Sequence, residues 1–153
     1  MNFQHWINQH PSVFVAIFPI YFLCLWCLVG AIVSFVGGWF SLAKLYRTRV
    51  PFSGAKWRMQ SGRMRGLANY NNVLTLGVSS EGLYLATMLF FRFMHPPLLI
   101  PWSEIRVRRS KGWVFEYTTF TIGHELAIPL RIRASLAAKL GESAESYWPV
   151  EEV

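Results

Sequence analysis

From Val13 to Ala43 the chain runs 31 residues without an Asp, Glu, Lys, Arg or His. As a helix this stretch would be about 46 Å long, against roughly 30 Å for the hydrocarbon core of a bilayer. Two spans would need about 20 residues each, so the pattern predicts one transmembrane helix within 13–43, running from about Phe14 to Trp39. Pro19, one turn inside, predicts a kink or tilt at the outer end because it has no N–H to donate. Gly37 and Gly38 loosen the inner end, and Trp6, Trp39 and Tyr46 fall where amphipathic rings favour the membrane interface. The first twelve residues contain no Lys or Arg, and the apolar run exceeds a signal core, so it reads as an uncleaved anchor.

Beyond the span the hydrophobic period changes from helical to alternating. Lys56 to Arg65 alternates loosely, and Val73–Ser79 and Leu83–Met88 flank the turn sequence Ser80-Glu81-Gly82, which predicts a hairpin. Phe90–Met94 and Leu98–Trp102 read as further short strands, separated by His95-Pro96-Pro97, where prolines cannot donate to a ladder. Ile105 and Val107 alternate with Arg106 and Arg108, and Lys111-Gly112 turns the chain into Trp113–Ile122, rich in strand formers. Leu126 and Ile128 continue the period. After Pro129 the spacing of Ile132, Leu136 and Leu140 predicts a helix stopped at Gly141, although Leu130 and Ile132 also fit a strand.

These elements predict a membrane-anchored, mainly β (α+β) chain: one helix, then a small antiparallel sheet or open barrel capped by a C-terminal amphipathic helix. The expected organisation is a short outer segment over 1–12, the span over 13–43, a basic linker over 44–55, the sheet domain over 56–141 and an acidic tail over 142–153. Glu81-Gly82-Leu83-Tyr84-Leu85, Phe91-Arg92 and the stretch from His95 to Ile105 (HPPLLIPWSEI) carry a family resemblance. Between Trp57 and Gly141 the chain resembles bacterial single-pass membrane proteins with a pleckstrin-homology (PH)-like or GRAM-like cytoplasmic domain. The resemblance implies a fold that hosts lipid-headgroup, peptide and protein recognition, and it implies no reaction.

Charge adds an orientation. Residues 1–80 hold seven Lys and Arg and no Asp or Glu, whereas 81–153 hold eight of each sign. The positive-inside rule then places the N-terminus outside and everything after Ala43 in the cytoplasm, which for a bacterial chain means the inner (plasma) membrane. The net charge of +7 and pI near 9.9 are therefore read as topology and not as a nucleic-acid footprint. Lys44, Arg47, Arg49 and Lys56 form a juxtamembrane group able to contact anionic lipid. Arg106, Arg108, Arg109 and Lys111 form a second cluster, in which guanidinium groups projecting from one strand suit phosphate or carboxylate. The acidic tail either screens these patches or trails as a terminus.

Candidate chemistry is sparse. Cys24-Leu-Trp-Cys27 has a CxxC spacing but lies within the apolar helix, where thiolates are disfavoured. His124-Glu125 opens like a zinc-protease HExxH, yet Ile128 occupies the place of the second histidine. His95 has no histidine or cysteine beside it, the chain has no Asp, and Glu81, Glu104, Glu116 and Glu125 occur singly. No nucleophile elbow or phosphate loop is present, so neither catalytic residues nor a metal or cofactor are expected.

Two function classes follow. The first is a membrane-tethered, non-enzymatic module that recognises a protein or an anionic lipid headgroup at the cytoplasmic face. The second is a structural or assembly subunit contacting partners, including further copies of itself, through Gly30, Ser34 and Gly38, a row of small residues suited to close helix packing. Membrane lipids and a protein are the expected partners, and nucleic acid is not.

Overall fold

The computed structural model describes residues 4, 5 and 9–152. Helix α1 spans Pro11–Gly37, opening on Pro11, whose missing donor costs nothing in a first turn, and passing through Pro19 without ending. It is long and apolar enough to cross a membrane. The helix stops at Gly38, which takes φ 83° and donates its N–H to the Phe35 carbonyl, a left-handed cap natural to glycine. A separate helix α2, Trp39–Tyr46, follows at once. The charge-free run is therefore two elements. Trp39 and Leu42 are fully buried against the sheet, so the chain turns into its folded domain five residues before the charges resume. Trp6 lies outside the described residues.

Among the described residues, seven antiparallel strands and a short eighth form one sheet: β1 Ala55–Met64, β2 Ala68–Val78, β3 Gly82–Thr87, β4 Leu98–Pro101, β5 Ile105–Lys111, β6 Glu116–Ile122, β7 Ile128–Arg133 and β8 Glu151–Glu152. Their order is β4-β3-β2-β1-β7-β6-β5-β8, with β8 parallel to β5. The sheet curls into a half-barrel. Register shifts in β1, with Met59 at φ 55°, give the irregular strand that sharp curling needs. Helix α3, Ala134–Ala144, lays Leu136, Ala137, Leu140 and Ala144 on the inner face. Trp148 closes that end edge-on against Phe120, with centroids 5.6 Å apart.

Alternation located most strands, and the departures have physical causes. Phe90–Met94 is no strand: Leu89–Phe91 is a 3-10 turn, and Leu89, Phe90 and Phe93 are each at least 74% exposed. Strand β6 starts at Glu116, leaving Trp113 and Val114 on an exposed hairpin tip. Leu130 and Ile132 stay in β7, and α3 begins at Ala134 and passes through Gly141, which lies against the Trp148 ring. The tail does not simply trail. Residues 142–144 finish α3, and β8 pairs its backbone with Val107 and Arg108.

Candidate functional site

Because β-strand side chains alternate, the residues between core positions share the outer face of the half-barrel. In β7, Leu130 and Ile132 are buried while Arg131 and Arg133 face outward; in β1, Met64 is buried beside outward Arg63. Register does the rest. Asn69 pairs with Arg63, Arg63 with Arg131, Arg131 with Thr119, and Thr119 with Arg108. One row thus crosses five strands and carries three arginines within roughly 14 Å, at about 4.8 Å per strand. Arg133 lies on β7 two residues along from Arg131, and Arg106 on β5 two from Arg108.

The centre of this face is an open cavity of about 250 Å³ bordered by Ser61, Arg63, Asn69, Tyr117, Arg131 and Arg133. Arg63 donates through Nε to Asn69 Oδ1 at 2.6 Å. The Arg131 guanidinium lies over the Tyr117 ring at 4.1 Å and that of Arg133 over Phe115 at 4.9 Å, cation–π contacts that hold both forks in place. Arg131 Nε is buried without a hydrogen-bond partner among the described residues. Like charges directly opposite on a ladder are unfavourable, as is a buried donor left unpaired.

The predicted basic cluster divides. Arg106 and Arg108 belong to the outer face, whereas Arg109 borders a groove beneath α3 with Glu116, Glu142 and Glu145, and Lys111 pairs with Glu116 at the strand end. Arg63, Arg131 and Arg133 were absent from the predicted set because their proximity depends on the β1–β7 pairing of distant segments, which local spacing does not disclose. Lys44, Arg47, Arg49 and Lys56 are exposed. Lys44 and Lys56 rest over Phe40 and Phe52, and Arg47 bridges Leu98 through its backbone.

The small-residue row packs within the chain. Ser34 Oγ donates to the Met94 carbonyl at 2.8 Å, and Met94 lies against Gly30. Gly37 is so close to β2 that a Cβ there would stand 2.9 Å from Ala68 Cβ.

His95 is buried and structural in its contacts. Its Nδ1 donates to the Phe91 carbonyl at 3.3 Å, and Nε2 accepts from the Tyr70 hydroxyl at 3.1 Å, with Trp39 edge-on at 5.1 Å. Burial pushes its pKa below the ordinary histidine value, partly opposed by the Phe91 carbonyl, and burial alone pushes that of Tyr70 well up. Trp39 Nε1 donates to the Pro96 carbonyl at 3.0 Å, so the His95-Pro96-Pro97 segment locks α2 to the sheet.

The rest of the HPPLLIPWSEI stretch also staples elements together. Trp102 Nε1 donates to the Ser79 carbonyl at 2.9 Å, and Glu104 Oε2 accepts from Tyr46 Oη at 3.2 Å and from the His124 N–H at 3.0 Å. Burial first, then the Glu104 carboxylate, raises the Tyr46 pKa. His124 and Glu125 occupy the β6–β7 turn and not a helix, and Cys24 and Cys27 are free thiols on α1. Comparison of the chain with models of known families, with curated proteins and with solved structures finds no match.

Proposed function

We propose that this chain is a membrane-tethered, non-enzymatic binding module of PH-like type, in which α1 spans the bacterial inner membrane and the half-barrel stands in the cytoplasm. Its outer face, centred on Arg63 and Arg131 and flanked by Arg133, Arg106 and Arg108, takes a phosphate- or carboxylate-bearing ligand. The observation that carries this reading is the opposed pair Arg63 and Arg131 beside a cavity, with Arg131 Nε buried and unpaired. Charge-assisted, bidentate bonds to an anion are the strongest interaction such forks can make. Met94 already covers Gly30 and Ser34, which favours this reading over assembly through the helix row.

The test is thermal unfolding of the full chain in a neutral detergent with added inorganic phosphate, anionic phospholipid or zwitterionic phospholipid. A ligand that binds only the folded state adds about 2.7 kcal/mol at a hundred times its Kd. The expected result is a saturable rise in Tm with an anion that disappears in Arg63→Gln/Arg131→Gln. Response to anionic phospholipid alone assigns the ligand to the membrane, and response to phosphate as well assigns it to the phosphoryl group. An equal response in the double variant, or none to any anion, removes this face as the site.

A further inference from the structure

The loop between β3 and β4 breaks the rule that large apolar side chains hide. Leu89, Phe90 and Phe93 are 74–77% exposed, and the loop leans on α1: Phe91 sits 5.2 Å from the Trp26 ring, Met94 lies on Gly30, and Ser34 bonds the Met94 carbonyl. Between loop and helix lies a cleft of about 360 Å³ with an almost wholly apolar lining, bordered among others by Leu23, Trp26, Gly30, Phe90 and Phe93. Along α1, Gly30 and Trp26 are seven and eleven residues before Gly37, or about 10 and 16 Å at 1.5 Å per residue. The loop therefore rises beside the helix, well beyond its inner end.

We infer that the Leu89–Met94 loop is a second membrane element, dipping into the leaflet nearest the half-barrel, and that the cleft it forms with α1 holds a phospholipid acyl chain. The inference rests on α1 being membrane-embedded. Hydrocarbon admits irregular backbone only where its polar groups are satisfied, and this loop largely closes on itself. Phe91 donates to Met88, Arg92 to Leu89, and Met94 and His95 to Phe91, at 2.9–3.2 Å, while Met88 N–H is held by Val73. Its one charge turns back: Arg92 Nε points to the Thr87 carbonyl at the strand end, 3.4 Å away, as a long cation does when it reaches for the interface. The cleft is continuous with the exposed apolar side of α1, so whatever solvates that helix fills the cleft.

The test is photolabelling of the full chain, reconstituted in vesicles of a zwitterionic phospholipid that carries a diazirine on its acyl chain, with mapping of the labelled peptides. Label on both the α1 peptide and the 88–95 peptide is expected, with label on the loop falling several-fold in Phe90→Ser/Phe93→Ser, whose exposed rings contribute nothing to the core. Label on α1 without label on the loop overturns the inference and leaves the anchor standing. That pattern is also what a partner helix or a second copy seated in the cleft produces. Absence of label from both overturns the membrane reading itself and the inference with it.

Discussion

His95 holds one proton on Nδ1 and uses Nε2 as an acceptor for Tyr70, so a second proton is disfavoured in the folded chain. Its folded pKa is lowered from the ordinary 6.5, which means the unfolded chain takes up that proton first as pH falls. Stability is then full above about 6.5 and declines below it, until the depressed folded value is reached. Unfolding temperatures measured between neutral and mildly acidic pH should fall for the natural chain. Replacing His95 with Gln should remove that part of the slope and lower stability at neutral pH, because the Tyr70 hydroxyl loses its partner. On the outer face the logic is opposite. Without ligand, Arg63→Gln should leave Tm unchanged or slightly higher, since it relieves the opposed charges. Arg131→Gln should lose the Tyr117 contact and destabilise modestly. Two of the five arginines on this face, Arg106 and Arg108, are legible from local alternation. The rest required knowing that residue 63 pairs with residue 131, and no run of neighbours encodes that.

Helix α2 is the element that local reading concealed. A charge-free run looks the same whether it meets lipid or a protein core, because both are apolar, and so the switch at Gly38 was invisible except for its glycines. The strands are legible because one face is wet, whereas the bulky residues of Phe90–Met94 suggest a strand facing a core and instead form an exposed loop. The two faces of α2 differ measurably. Leu42 is fully buried and Leu45 is 63% exposed, so Leu42→Ala should cost about 2–5 kcal/mol. Leu45→Ala should stay within about 0.5 kcal/mol. Chemical denaturation of the full chain in detergent, followed by the sheet signal in circular dichroism, separates them. At the junction, Gly37→Val would drive a branched side chain into Ala68 and Tyr70. The expected result is a domain that remains folded yet loses the Trp39 seat, seen as a shift in tryptophan emission.

For the whole molecule, the asymmetry of Lys and Arg about α1 fixes the expected orientation. With Cys24 and Cys27 replaced by Ala, a cysteine at Ser12 should react with an impermeant thiol reagent added outside intact cells. A cysteine at the fully exposed Trp113 should react only after permeabilisation. Labelling of the second position in intact cells would reverse the topology.

The seating of Trp39 has a mechanical consequence. An ordinary tether lets its cargo swivel, but here the buried indole, the Ser34 bond and the glycine contact leave little slack between shaft and head. In the membrane-spanning reading proposed above, a helix of 27 residues, about 40 Å long, exceeds a hydrocarbon layer of about 30 Å, and tilting is one way to take up the excess. The half-barrel would then lean with it. Thinner or thicker bilayers would tip the arginine face toward or away from the surface, making the height and angle of that face a readout of membrane thickness.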